Sequence, residues 1–165
     1  MTQQANLSGR PRRQTRRGKR AAPPADFGLL PELVGYNLRR AQVAVFQDFA
    51  DSLADCRLTP GQFGVLVLIE ANPGLNQTRL SQALRVDRST VVTVIDRLEG
   101  RGVVERAPSP DDRRSYALRL TGEGEALLAR AKPLVRRHEA RIAAGFESGE
   151  LAALTTLLQR LAEVR

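Results

Sequence analysis

The chain has 165 residues, 42% of them hydrophobic, so it can bury the core of one domain, with or without an oligomerisation extension. With two Tyr, five Phe and no Trp, that core must be aliphatic, which favours helices over an all-β sandwich. The formal net charge of +8 lies mainly in residues 1–25, which hold seven of the 26 Lys and Arg residues and none of the 18 acidic ones.

Residues 1–25 lack hydrophobic periodicity, which predicts a disordered basic tail. Two interpretations stay open: an arm that follows DNA phosphates, or a solvated leader without a specific role. No apolar stretch follows the basic residues, so no secretory signal is predicted. One Cys and no Cys/His cluster predict neither a disulfide nor a metal site, and we expect no cofactor. A cytoplasmic protein without a membrane span is the expectation.

The first predicted element is a long helix from Leu29 to Cys56, where apolar residues recur at steps of three and four. Thr59 and Gln62 have the spacing of a capping box around Pro60, and they predict a second helix that includes Phe63–Glu70. The Asn-Pro-Gly run that follows ends this helix.

A short helix over Gln77–Leu84 is predicted next, with Asn76 as its cap. The tripeptide Arg85–Asp87 then turns the chain, and Asp87 is expected to cap a further helix over Arg88–Arg101. Two short helices joined by a three-residue turn are typical of a helix-turn-helix.

After Gly102, which suits a left-handed helix end, residues 103–106 and 116–120 alternate as short strands do. A β-hairpin placed directly after the second helix of a helix-turn-helix is a wing. Thr121 is predicted to cap a long helix from Gly122 to Ala144. Ser148 is predicted to cap a final helix, in which leucines form one stripe.

The helix from Arg88 has the properties of a recognition helix. On a helical wheel Val91, Val94, Ile95 and Leu98 face the core, and the opposite face is small and polar. Such a face can approach the floor of the major groove, where hydroxyl groups pair with base edges and methyl groups contact thymine. The alternative for the helix alone is an ordinary amphipathic surface helix, but its place between the turn and the wing favours DNA. The predicted contacts on the two helices are Gln77, Thr78, Arg88, Ser89, Thr90, Val92, Thr93 and Arg97.

The loop of the wing carries Asp112, Arg113 and Arg114. An exposed Arg at a hairpin tip can enter the narrow minor groove, and Asp112 can orient the Arg114 guanidinium. The alternative is an ordinary polar turn, in which Asp and Arg are common.

The run from Asp87 to Thr121 resembles the winged-helix core of MarR-type bacterial regulators. Their pattern of Asp-x-Arg followed by Leu-Thr is met by Asp112, Arg114, Leu120 and Thr121. The resemblance implies a homodimer, with Arg114 in the minor groove and the recognition helix in the major groove of a pseudo-palindromic operator. The sequence differs from the family pattern at Thr93, where many members carry Arg.

The fold class that follows is mainly α with a small β-wing: a winged helix-turn-helix domain with N- and C-terminal dimerisation helices. The tail occupies 1–25 and the MarR-type domain 26–165. Within that domain the DNA-binding lobe covers about 57–121, and the dimerisation helices cover about 29–56 and 122–164. The function expected is a DNA-binding regulator that occludes a promoter until a small effector releases it.

The resemblance also implies an effector crevice between the dimer helices and the DNA-binding lobe. Its occupant would be a small aromatic or phenolic carboxylate or its coenzyme A thioester. Core packing is the alternative for Phe46 and Phe63, and a core or surface position is the alternative for His138. The candidate residues are Tyr36, Asn37, Arg39, Arg40, Phe46, Phe63 and His138.

Three other functions have less support in the sequence. Oxidant sensing through Cys56 is less favoured than a plain thiol, because no cationic helix terminus adjoins it. An enzyme is not expected, because the chain has one His, one Cys and no phosphate-binding loop. A winged helix that binds protein instead of DNA is the remaining alternative, and salt-dependent duplex binding separates it from a DNA reader.

Overall fold

The computed structural model describes residues 25–108 and 116–164. Within them, β1 (Val104–Pro108) and β2 (Tyr116–Leu120) form an antiparallel hairpin, and two short 3-10 turns occupy Leu30–Glu32 and Ala54–Cys56. The predicted winged helix-turn-helix with flanking helices is confirmed as the fold class. The α-helices are α1 (Val34–Ser52), α2 (Pro60–Ala71), α3 (Gln77–Leu84), α4 (Arg88–Gly100), α5 (Gly122–Ala143) and α6 (Glu150–Leu161).

Side-chain caps explain where α2 and α5 begin. Thr59 Oγ1 accepts a hydrogen bond from the Gln62 amide at 3.2 Å, and Gln62 Oε1 accepts one from the Thr59 amide at 3.1 Å. Thr121 Oγ1 accepts from the Gly124 amide at 3.1 Å. These bonds satisfy amides that a helix leaves unpaired at its first turn, so the predicted capping box and the predicted cap of α5 are confirmed.

Of the two other predicted caps, Asp87 takes the predicted position without a side-chain bond, and Ser148 is not a cap. Asp87 stands at the N-cap of α4, but only its main-chain carbonyl is used, accepting from the Val91 amide at 3.2 Å, and its side chain makes no capping bond. The last helix begins at Glu150 after Gly149, which has φ 90°, so Ser148 lies outside the helix and does not cap it. A preference for Asp or Ser before a helix is statistical, and the local backbone decides which residue takes the position.

The predicted first helix is shorter than Leu29–Cys56. Leu33 is extended (φ −87°, ψ 128°), and Leu53 leaves the α-helical region before the 3-10 turn that ends at Cys56. A 3-10 turn places side chains at a spacing of three, so the apolar pattern continues through turns that are not α-helical.

The core is aliphatic, as the composition predicts. It lies between the C-terminal end of α1, α2, α3, α4, the hairpin and α5. A hydrogen bond of 2.7 Å from the Leu118 amide to the Leu75 carbonyl joins the hairpin to the segment before α3. The largest fully buried apolar side chains of this core are Leu53, Leu66, Leu80, Ile95, Leu98, Leu118 and Leu128. Among the described helices none has both the length and the apolar character of a membrane span.

Candidate nucleic-acid interface

The helix-turn-helix is built as predicted. Asn76 Oδ1 caps α3 by accepting from the Arg79 amide at 2.9 Å. The helix ends at Leu84, and Arg85 adopts the left-handed conformation (φ 52°, ψ 41°) that reverses the chain toward α4. Leu80 on α3 is fully buried and packs in the core shared with α4, so the two helices form one rigid unit.

One face of α4 is anchored and the other is free. Val91, Ile95 and Leu98 are at most 1% exposed, which confirms the predicted core side of the helix. Ser89 and Thr93 lie on the exposed side. Thr93 Oγ1 donates to the Ser89 carbonyl at 3.0 Å, so the Thr93 hydroxyl offers an incoming base its acceptor lone pairs and its methyl group.

The remaining predicted contacts on the two helices fall into two classes of exposure. Thr78, Arg88, Thr90 and Arg97 are exposed. Gln77 and Val92 are partly buried, so they present less surface to a partner.

A side-chain cluster that the sequence analysis missed holds the wing against the two helices. Arg106 on β1 pairs with Asp96 of α4 at 2.5 Å and with Glu99 one turn later. In the amide orientation that satisfies both partners, the Gln77 oxygen accepts from Arg106 Nε at 3.2 Å and from Nη2 at 2.9 Å. These four residues form the Arg106 cluster. The sequence signal for it was the pair of acids three residues apart on α4.

The Arg106 cluster has an electrostatic consequence. Asp96 lies on the exposed side of α4, where an uncompensated carboxylate would repel DNA phosphates. Arg106 neutralises the charge of Asp96 and also donates to the side-chain oxygen of Gln77. The Gln77 amide hydrogens are therefore left for other partners. Arg106 is therefore a positioning residue for the surface that α4 presents.

Arg106→Gln is expected to destabilise the fold by about 1 kcal/mol, because the ion pairs are partly exposed, and to weaken duplex binding by about tenfold. Titration of a fluorescent duplex at fixed salt measures the second effect. Arg119→Gln is the matched control, since Arg119 is exposed on the paired strand opposite Glu105 and its loss removes the same charge. Equal losses for the two variants would contradict a positioning role for Arg106.

The hairpin of β1 and β2, which forms the wing, lies beside α4. Val104 pairs with Leu120 and Pro108 with Tyr116, so the loop that connects the strands begins after the Pro108–Tyr116 pair. Asp112, Arg113 and Arg114 lie outside the described residues, and their contacts with DNA stay predictions.

Five of the seven effector candidates lie along α1. The Asn37 amide donates to two main-chain carbonyls of the preceding turn, at 2.8 and 2.9 Å, so it is engaged in local structure. The Arg40 guanidinium lies 5.7 Å from the centre of the Tyr36 ring. Arg39 and Phe46 are exposed.

The other two candidates lie in a separate aromatic cluster. Phe49 packs edge-on against Phe63, with ring centres 6.0 Å apart, and against His138, with ring centres 5.4 Å apart. His138 is 1% exposed. His138 therefore has the burial and contacts of a core residue, and the effector crevice stays a prediction.

An ion-paired group joins α1 to α5 beside that cluster. Asp48 accepts from Arg141 Nη2 at 2.9 Å and lies 2.5 Å from His138 Nδ1. These hydrogen bonds, with Arg141 the larger cause, lower the pKa of Asp48 below its usual value. The stabilisation they supply is fully present above the unfolded-state pKa of Asp48 and is lost as the pH falls through the lowered value.

Cys56 is 5% exposed and lies at the end of the 3-10 turn after α1. A thiol shielded in this way is poorly placed to react with an oxidant. Within residues 25–108 and 116–164, no group of three or more His, Cys, Asp and Glu side chains could hold a metal ion.

Comparisons with known proteins agree with this geometry. The sequence model of the MarR family matches residues 58–116. The chain is 41% identical over 129 residues to the putative transcriptional regulatory protein for the hcr operon of Thauera aromatica, covering 78% of each chain. It is 33% identical to the HTH-type transcriptional repressor NicR of Pseudomonas putida, over 79% of this chain and 82% of that one.

The transcriptional repressor CouR provides the structural comparison. Its structure bound to a 23-mer DNA duplex is 46% identical in sequence, with a TM-score of 0.80 over 86% of this chain and 100% of that chain. A second structure of CouR, bound to p-coumaroyl-CoA, is 44% identical with the same TM-score and coverage.

Proposed function

Because the chain belongs to the MarR family of transcriptional regulators, we propose that it is a homodimeric repressor that binds a pseudo-palindromic DNA operator. The observation that carries this proposal is the exposed hydroxyl-bearing face of α4, whose opposite face is locked in the core by Val91, Ile95 and Leu98. Two-fold symmetry predicts half-sites about one helical turn, roughly 10 bp, apart. The protein acts in the cytoplasm, has no catalytic activity and needs no cofactor.

The proposed DNA contacts are divided between the grooves. The N-terminal part of α4 enters the major groove, and Arg114 with Asp112 and Arg113 reaches the minor groove. The lobe over about 57–121 reads DNA, and the segments over about 29–56 and 122–164 form the dimer. The residues proposed for the major groove and its phosphates are Gln77, Thr78, Arg88, Ser89, Thr90, Val92, Thr93 and Arg97.

The dimer is supported by apolar surface at both ends of the chain. α6 contributes no buried residue, and Leu157, Leu158 and Leu161 are 56%, 42% and 38% exposed. The segment before and within the first turns of α1 also exposes apolar side chains, among them Leu29 and Val34. Surface of this kind is covered when a second copy supplies the same elements.

The proposed effector is a small aromatic carboxylate or its coenzyme A thioester. Support comes from CouR, a structural relative whose complex with p-coumaroyl-CoA is known, and from the basic and aromatic side chains along α1. Arg39 and Arg40 pair with the acid, Asn37 adds a polar contact, and Tyr36 and Phe46 contact the ring. Phe63 and His138 pack against Phe49, which follows Phe46 on α1 by one turn, and they complete the proposed site.

The proposed function is tested by gel-shift titration of the DNA upstream of the protein's own gene, repeated with aromatic acids and their coenzyme A esters. The expected result is a salt-dependent complex that one of these compounds dissociates. Binding that is equal for unrelated duplexes would contradict an operator. The absence of any duplex binding would favour the alternative of a protein-binding winged helix.

Base selection is expected to depend on α4. Ser89→Ala and Thr93→Ala should each reduce discrimination at one base pair by about fivefold, the value of one net hydrogen bond of about 1 kcal/mol. Competition between duplexes with single base-pair changes measures this. Thr156→Ala is the control, because Thr156 is an exposed residue of α6 that makes the same type of bond to its own helix, at 3.0 Å. Unchanged discrimination in both α4 variants would remove these residues from direct readout.

A further inference from the structure

An arginine stands at the C-terminal end of the recognition helix and bonds to the end of the first dimerisation segment. Arg101 is the C-cap of α4. Its Nη1 donates to the Arg57 carbonyl at 2.8 Å and its Nη2 to the Cys56 carbonyl at 3.0 Å. These carbonyls terminate the 3-10 turn after α1, so both are available as acceptors for a cation.

A second arginine stands just before the N-terminal end of the same helix. Arg85, in the turn between α3 and α4, donates from Nη1 to the Ala162 carbonyl at 2.7 Å. Ala162 is the C-cap of α6. Among the described residues from 150 onward, this is the one hydrogen bond that reaches beyond α6 and the turn before it.

The two hydrogen-bonded contacts of Arg101 and Arg85 each include a residue with an unusual backbone conformation. In the described chain Arg57 (φ 51°) and Arg85 (φ 52°) are the non-glycine residues with positive φ. One supplies the carbonyl that Arg101 uses, and the other is itself the donor to Ala162. A left-handed residue that is not glycine costs about 1 kcal/mol, and a glycine would close α3 without that cost. The turn itself therefore does not require the Arg85 side chain.

We propose that Arg85 and Arg101 are positioning residues that hold both ends of the recognition helix at a set place relative to the dimerisation segments. In a two-fold dimer this place determines the distance between the two recognition helices, and hence the half-site spacing that the protein accepts. The inference rests on the proposed function, since it requires a dimer on an operator.

The test uses a duplex that the wild-type chain selects from a random-sequence pool, together with versions whose centre is one base pair longer or shorter. Binding is measured at fixed salt for the wild type, Arg85→Gly, Arg101→Gln and the double variant. The wild type is expected to lose about tenfold in affinity when the spacing changes. The double variant is expected to lose less than about threefold.

The variants distinguish a change in spacing preference from a loss of stability or of positive charge. Arg85→Gly removes the guanidinium and relieves the left-handed backbone, so its thermal stability should equal or exceed that of the wild type. Arg79→Gln removes a charge from the exposed surface of α3, and it should weaken binding to all spacings alike. The ratio between spacings is therefore the readout, and a general loss of affinity does not change it.

Spacing discrimination that is the same in the double variant as in the wild type would overturn the inference. So would a wild type that binds all spacings equally, because no set distance would then exist. In either case the selected duplex still binds, so the proposed function stands. A wild-type chain that selects no duplex would overturn both the proposed function and the inference.

Discussion

Gly124→Ala is expected to lower the free energy of unfolding by about 3 kcal/mol or more, the upper range for overpacking a core. Gly124 is buried in the first turn of α5. A Cβ at this position would lie 2.0 Å from the Val103 carbonyl oxygen and 2.9 Å from its carbon. Both atoms belong to the main chain, so no side-chain rotation relieves the contact.

Hydrogen bonds at the α4–β1 junction prevent a small backbone shift from relieving this contact. Thr121 Oγ1 donates to the Gly102 carbonyl at 2.6 Å, and the Thr121 amide donates to the Val103 carbonyl at 3.3 Å. A shift of α5 together with Thr121 would break these bonds, and a shift of α5 without Thr121 would break the cap on Gly124. The wing would then lose its support against α5.

Chemical denaturation of Gly124→Ala against Gly122→Ala measures this effect. Gly122 is the first residue of α5, and a Cβ there meets nothing within 4 Å, so the control should be neutral or slightly stabilising. Equal unfolding free energies for the two variants would show that the close approach of α5 to Val103 is absent.

Leu157→Asp combined with Leu161→Asp is expected to convert the dimer to monomers and to reduce operator affinity by about 100-fold or more. Both leucines are exposed in the single chain, so the substitutions leave its own core intact. In a dimer they would place two carboxylates in an apolar interface, where unpaired charge is strongly unfavourable. Loss of the second half-site removes the gain from effective concentration.

Sedimentation equilibrium and gel-shift titration on the same samples link the oligomeric state to DNA affinity. The control carries the same two charges on the other side of α6, as Thr156→Asp with Gln159→Asp, both at exposed positions. It should remain dimeric and bind DNA. A leucine double variant that stays dimeric would place the dimer interface elsewhere.

The amino-acid sequence by itself determined the local structure and the class of protein. The bounds of α3 and the start of α4 follow from a cap, a turn and a hydrophobic period, all of which act over a few residues. The buried positions Val91, Ile95 and Leu98 follow from the same period. The capping box at Thr59 and Gln62 is also local, and the structure confirms it.

Only the tertiary structure decided which distant residues meet. Arg106 with Asp96, Arg101 with the Cys56 carbonyl and Arg85 with the Ala162 carbonyl join separate elements of the fold. So does the burial of His138 against Phe49, which joins α5 to α1. Hydrophobic periodicity predicts which face of a helix is buried. It does not predict what the charged side chains at the edges of that face will contact. Those contacts depend on the packing of elements far apart in the chain, so the sequence pattern alone does not predict which residues will meet.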